Sequence, residues 1–112
     1  MSHEISLKIY TNDRQVTSEL FPSASRYTAG ETTHVIDDET QVVYQGSFVR
    51  KSVGFPDIIE LSIRIAEPVS LAIVANWLYE KLKDKKASLE VHGREVDVEK
   101  EEIQSTLEEY VN

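Results

Sequence analysis

Hydrophobic positions in this chain repeat with two periods, and the change from one to the other lays out its elements. Ile5, Leu7 and Ile9 alternate with Ser6, Lys8 and Tyr10, the period-2 pattern of a strand with one buried face, which predicts a strand over 5–10. Ile59, Leu61, Ile63 and Ile65 alternate with Glu60, Ser62 and Arg64, predicting a strand over 58–65 with one wet face, as antiparallel sheets commonly have. Residues 41–50 read as extended, with Gly46 at a bulge or bend. Residues 32–36 add a short strand. Gly54, Phe55, Pro56 and Asp57 mark a turn. Strands over 88–92 and 95–98 flank Gly93 and Arg94 and are expected to form a hairpin with those two residues as a type II′ turn, glycine first. In that register His92 faces Glu95, Val91 faces Val96, Glu90 faces Asp97 and Leu89 faces Val98.

The period lengthens after Pro68. Ten of the fourteen residues over 69–82 are apolar, too many for one stripe. At about 100° per residue, Leu71, Ala72, Ala75, Leu78, Tyr79 and Leu82 share one broad face, the core stripe of an amphipathic helix predicted over 68–84. Val69, Ile73 and Trp77, with Val74 beside them, form a second ridge among Ser70, Asn76, Glu80 and Lys81. A helix with two apolar faces needs two things to bury them. Its ends are well marked: Pro68 suits the first helical position, Glu67 complements the dipole, and Lys81, Lys83, Lys85 and Lys86 collect at the far end. A second amphipathic helix is predicted over 99–111, with Ile103, Leu107, Tyr110 and Val111 on one stripe and Glu99, Glu101 and Glu102 in its first turn. Thr11, Asn12 and Asp13 can stop the first strand and cap a short helix over 13–21 that carries Val16 and Leu20 and is stopped by Pro22. The small polar residues 23–31 read as a loop.

Charge and cysteine content narrow the function. Twenty acidic against twelve basic residues give a net charge of −8 in 112 residues. Such a field repels phosphate backbones, so direct nucleic-acid binding is not expected. With no cysteine, disulfides, thiol catalysis and thiolate metal sites are excluded, and a cytoplasmic location is expected. The N-terminal residues carry no basic-then-apolar signal pattern, and the apolar part of the 68–84 helix is too short to span a membrane. One domain over 1–112 is expected.

No catalytic motif stands out. His34 with Asp37, Asp38 and Glu39 supplies an imidazole and three carboxylates in six residues, but the spacing matches neither an EF-hand loop nor an H-E-x-x-H pair and reads as an exposed acidic turn. There is no G-x-S-x-G elbow around Ser47, no Walker loop and no G-x-G-x-x-G. The aromatic residues are not interleaved with a basic patch. Glu90 and Asp97, facing each other across the hairpin in the expected register, could invite a cation or a lysine, though a tolerated solvent-side repulsion is the commoner arrangement. Trp77 is different: tryptophan is enriched at interface hot spots, yet it would sit equally naturally under the terminal helix.

The run from Glu67 through Asn76-Trp77-Leu78-Tyr79-Glu80-Lys81-Leu82 to Gly93-Arg94-Glu95-Val96 resembles the C-terminal helix-plus-hairpin module of small uncharacterised bacterial proteins. It is also similar to accessory domains associated with bacterial defence-system effectors. The resemblance implies a bacterial or phage source and a non-catalytic accessory role, and carries over no functional residue. The expectation is therefore an α+β fold, a mainly antiparallel sheet of four to six strands with two helices on one face. The expected function is a small non-enzymatic module, without cofactor, that self-associates or docks on a partner protein through Val69, Ile73, Val74 and Trp77. An acidic nucleic-acid mimic that occupies a basic groove is the alternative, and a metal-dependent hydrolase using His34 and its neighbouring carboxylates the third.

Overall fold

A computed structural model describes residues 3–13, 15–37, 40–48, 56–65 and 71–111. Among them the elements run β1 (His3–Thr11), α1 (Gln15–Leu20), β2 (Thr33–Asp37), β3 (Thr40–Phe48), β4 (Asp57–Ile65), α2 (Leu71–Leu82), β5 (Ala87–Val91), β6 (Arg94–Val96) and α3 (Lys100–Val111). The class is α+β, as the two periods predict. The six strands described form one sheet in the order β2-β3-β4-β1-β5-β6, antiparallel throughout. The sheet thus closes around its two most regular alternating strands: β1 pairs with β4 from His3↔Ile65 to Thr11↔Asp57.

That register places Ile5, Leu7 and Ile9 beside Ile63, Leu61 and Ile59. All six are buried, while Glu4, Lys8 and Arg64 are not. Val42 and Tyr44 of β3 and Leu89 and Val91 of β5 extend the apolar face on either side. The buried side chains of this face and those of the three helices belong to one hydrophobic cluster. Gly46 lies at the predicted irregularity: the β3–β4 register slips between Tyr44 and Gly46, whose φ of 143° a side-chain-bearing residue rarely adopts.

The short α1 exists because its two apolar residues, Val16 and Leu20, are fully buried, and because Asp13 caps it, its Oδ1 accepting from the Gln15 N–H at 2.9 Å. Lys85, just past α2, ties it down with Nζ 3.1 Å from Glu19 and 3.7 Å from Asp13. The hydrogen bond to Glu19 holds the Lys85 ammonium above the usual lysine range. The 23–31 loop is pinned to β3 where Gly30 N–H donates to the Tyr44 carbonyl at 2.7 Å and Tyr44 N–H to that of Thr32 at 2.8 Å. Phe21, Tyr27 and Tyr44 pack ring against ring beneath it.

The hairpin register differs from the expected one. Leu89 pairs with Val96, Glu90 with Glu95 and Val91 with Arg94, a slip of two residues, and the turn is His92-Gly93 rather than Gly93-Arg94. Both turn residues have positive φ, 49° and 84°, which makes the turn type I′. His92 N–H donates to the Ser6 carbonyl at 2.9 Å, so pairing to β1 continues up to the turn and holds it there. Because the slip is even, Leu89, Val91 and Val96 stay buried.

Candidate functional site

Helix α2 turns its apolar surplus in two directions, but the division is not the one expected. Leu71, Val74, Ala75, Leu78 and Leu82 are buried, while Ala72 is exposed and Tyr79 half-buried. The core stripe is rotated toward Val74, which is fully buried and so belongs to the core and not to an outer ridge. This corrects the expected membership of Val74 in the docking surface. Val69 lies outside the described residues. What remains of the ridge is Ile73, 48% exposed, and Trp77, half-buried and packed against the core cluster.

Trp77 has a neighbour that neither sequence alternative named. Its ring stacks on His34 of β2, with centroids 5.6 Å apart and planes 19° from parallel. His34 pairs with Val42 of β3, a core residue, so the edge strand brings its imidazole under the outer side of α2. Burial, with Lys81 adding a smaller repulsion, holds the His34 imidazole below its usual pKa. The neutral ring is favoured there, and a neutral ring stacks on indole without desolvating a charge.

The strand that carries His34 forms one border of the sheet among the described residues. A bulge at its C-terminal end falls between Val35 and Asp37. Val35 is 57% exposed. Ala72, Ile73, Asn76, Trp77 and His34 therefore make a patch without formal charge, with Lys81 at its margin close enough to act on the His34 ring, while Thr33 and Val35 alternate to the other face of β2.

The other sequence candidates are placed as follows. Asp38 and Glu39 lie outside the described residues, and among those described no three His, Asp or Glu side chains come together as a metal-binding group. His92 does not face Glu95 as expected; it occupies the turn, with its ring 4.4 Å from that of Tyr110. Tyr110 is 39% exposed, and Thr106 takes a buried place on the α3 stripe beside Ile103, Leu107 and Val111. The Thr106 hydroxyl donates to the Glu102 carbonyl at 2.8 Å, which lets a polar side chain sit there. Ser47 is held by the Tyr44 hydroxyl at 2.6 Å. No described helix is long and apolar enough to cross a membrane.

The His34–Trp77 stack was not legible because nothing in the spacing of residues 34 and 77 ties an edge strand to a helix over forty residues later. Comparison with protein-family models, with curated proteins and with solved structures returns no match for this chain.

Proposed function

We propose that this protein is a non-enzymatic interaction module that self-associates, the Ile73–Trp77 ridge of α2 and the adjoining β2 edge meeting a second copy. The observation that carries the reading is Ile73, 48% exposed on a helix whose other aliphatic residues of leucine or valine size are buried. Beside it, the half-buried Trp77 offers the kind of anchor that interface centres use. The centre of the ridge, Ile73 and Trp77 with Ala72 and Asn76, carries no charge, so two chains of net charge −8 can meet on it with no like charges at the middle of the contact. Among the described residues no strand pairs with the outer side of β2, and its edge can supply backbone donors and acceptors to the same contact. An accessory role in a bacterial defence or phage-conflict system is the setting the resemblance implies, and a chain without cysteine suits the reducing cytoplasm.

Sedimentation velocity over a range of concentrations tests this. The wild type should dimerise, and more tightly as salt screens the mutual repulsion of the two acidic chains. Ile73→Asp should be monomeric and, at concentrations low enough for the wild type to be monomeric too, should melt at the same temperature. Wild-type protein that stays monomeric at high concentration and high salt would refute the reading. If association with a basic protein is found instead, and it weakens steeply with salt, the acidic-mimic alternative gains the ground.

A further inference from the structure

The face of the sheet that carries Glu4, Lys8 and Arg64 has a second surface of its own, at the end away from Glu4 and Arg64. Strand register aligns Phe48, Ile58, Tyr10 and Ser88 in one row across β3, β4, β1 and β5. Phe48 at the end of it is 56% exposed. The neighbouring row, across β4, β1, β5 and β6, is Glu60, Lys8, Glu90 and Glu95. Lys8, in register between Glu60 and Glu90, lies 3.8 Å from Glu60, and on its other side Glu90 is directly opposite Glu95, an arrangement that costs stability in a sheet. Among the described residues neither of these two carboxylates makes an ion pair. Between the two rows lies a cavity of about 310 Å³, lined by Tyr10, Pro56, Ser88, Glu90 and Glu95.

Two facing carboxylates beside a phenol ring attract one kind of ligand. The carboxylates accept hydrogen bonds from a planar or tetrahedral cation. Anions are repelled by the chain's charge. A bare hard metal ion finds two carboxylates and an aromatic wall where it needs six or more oxygen ligands. The cavity therefore suits an organic cation. The row continues from it over Ile58 to Phe48, one and two strands away at about 4.8 Å per strand, so the surface is longer than one cationic group. That distance equals two or three residues of extended polypeptide, in which alternate side chains point the same way.

We propose that this face binds an extended segment of a partner protein, an arginine or lysine entering the Tyr10–Glu90–Glu95 cavity and an apolar residue two positions away resting on Ile58 and Phe48. The surface is independent of the ridge on α2, so either can be tested without the other. Charge complementarity selects the occupant: the site offers two carboxylates outside any ion pair and an apolar strip, and a basic-apolar segment answers both.

The test is a titration of the full chain, followed by amide chemical shifts, with the peptide Ac-Arg-Ser-Leu-NH2. Shifts should be confined to Tyr10, Phe48, Ile58, Ser88, Glu90 and Glu95 and their neighbours. The same peptide with citrulline for arginine should bind about tenfold more weakly or worse. The double variant Glu90→Gln/Glu95→Gln should lose affinity to the same degree. Glu101→Gln/Glu102→Gln, an equal change of charge on exposed positions of α3, should stay within about twofold of wild type. Equal losses in the two double variants would show general charge attraction and overturn the proposal. So would undiminished binding of the citrulline peptide, or the absence of any response. Spermidine binding more tightly than the peptide, with Phe48 and Ile58 unmoved, would also overturn it, because the occupant would then be a free polyamine.

Discussion

Trp77 and His34 show what one residue can report. The indole is the only tryptophan of the chain, and its ring is stacked on an imidazole held neutral by burial and, to a lesser degree, by Lys81. An imidazolium in that position would quench the indole. Tryptophan emission should therefore fall on acidification with a midpoint below that of an ordinary histidine, and His34→Gln should abolish the step. The folded-state pKa is depressed, so the unfolded chain binds the proton more readily. Stability is full above the unfolded-state value, declines as pH falls through it, and levels off below the folded-state value. A midpoint at or above the ordinary histidine value would contradict the stacked, neutral arrangement. Of the residues chosen from sequence for the ridge, Ile73 is exposed and Trp77 partly so, while Val74 is buried. A wheel at about 100° per residue places Val74 at the border between stripe and ridge. The wheel cannot decide such a position; the packing of the neighbouring strands does.

At the level of elements, periodicity carried much and turn chemistry was needed for the rest. The strands of the sheet and the two long helices follow from alternation and from stripes in the sequence. Their ends move by a few residues, which is where caps and pairing partners decide. The hairpin shows the limit. Period-2 patterning fixes which face each residue takes, because a slip of one would expose Leu89, Val91 and Val96. A slip of two leaves the pattern intact, so the hydrophobic residues are blind to it. The choice is made by His92 and Gly93, whose positive φ values match the twist of the strands, and by the bond from His92 to Ser6. A side chain added at Gly93 would meet nothing within 4 Å, so the cost of Gly93→Ala is conformational alone. It should be about 1 kcal/mol in a denaturant midpoint measurement. No loss would mean that the turn is not type I′.

At the scale of the whole molecule, the fold buries one face of an antiparallel sheet and leaves an acidic chain with two surfaces that do not look solvated. One is the border of α2 and β2 around Ile73, Trp77 and His34, the other the Tyr10–Phe48 row on the far face. Neither can be read from composition, since a charge of −8 says nothing about where uncharged surface collects. The ridge was visible as an excess of apolar positions in one helix; its junction with the β2 edge arises only when residues 34 and 77 meet in the folded chain. The central claim is that this junction is where two copies touch. Because the chain has no cysteine, a single one introduced at the exposed Asn76, one helical turn from Ile73, is a direct probe. Helices packed ridge to ridge lie about 8–10 Å apart, close enough for two such thiols to meet. Under mild oxidation Asn76→Cys should form a covalent dimer much faster than Ser18→Cys on the exposed side of α1, and adding Ile73→Asp should remove the difference. Equal rates for the two cysteines, unaffected by Ile73→Asp, would mean that the chains meet only by random collision and that the ridge is not an interface.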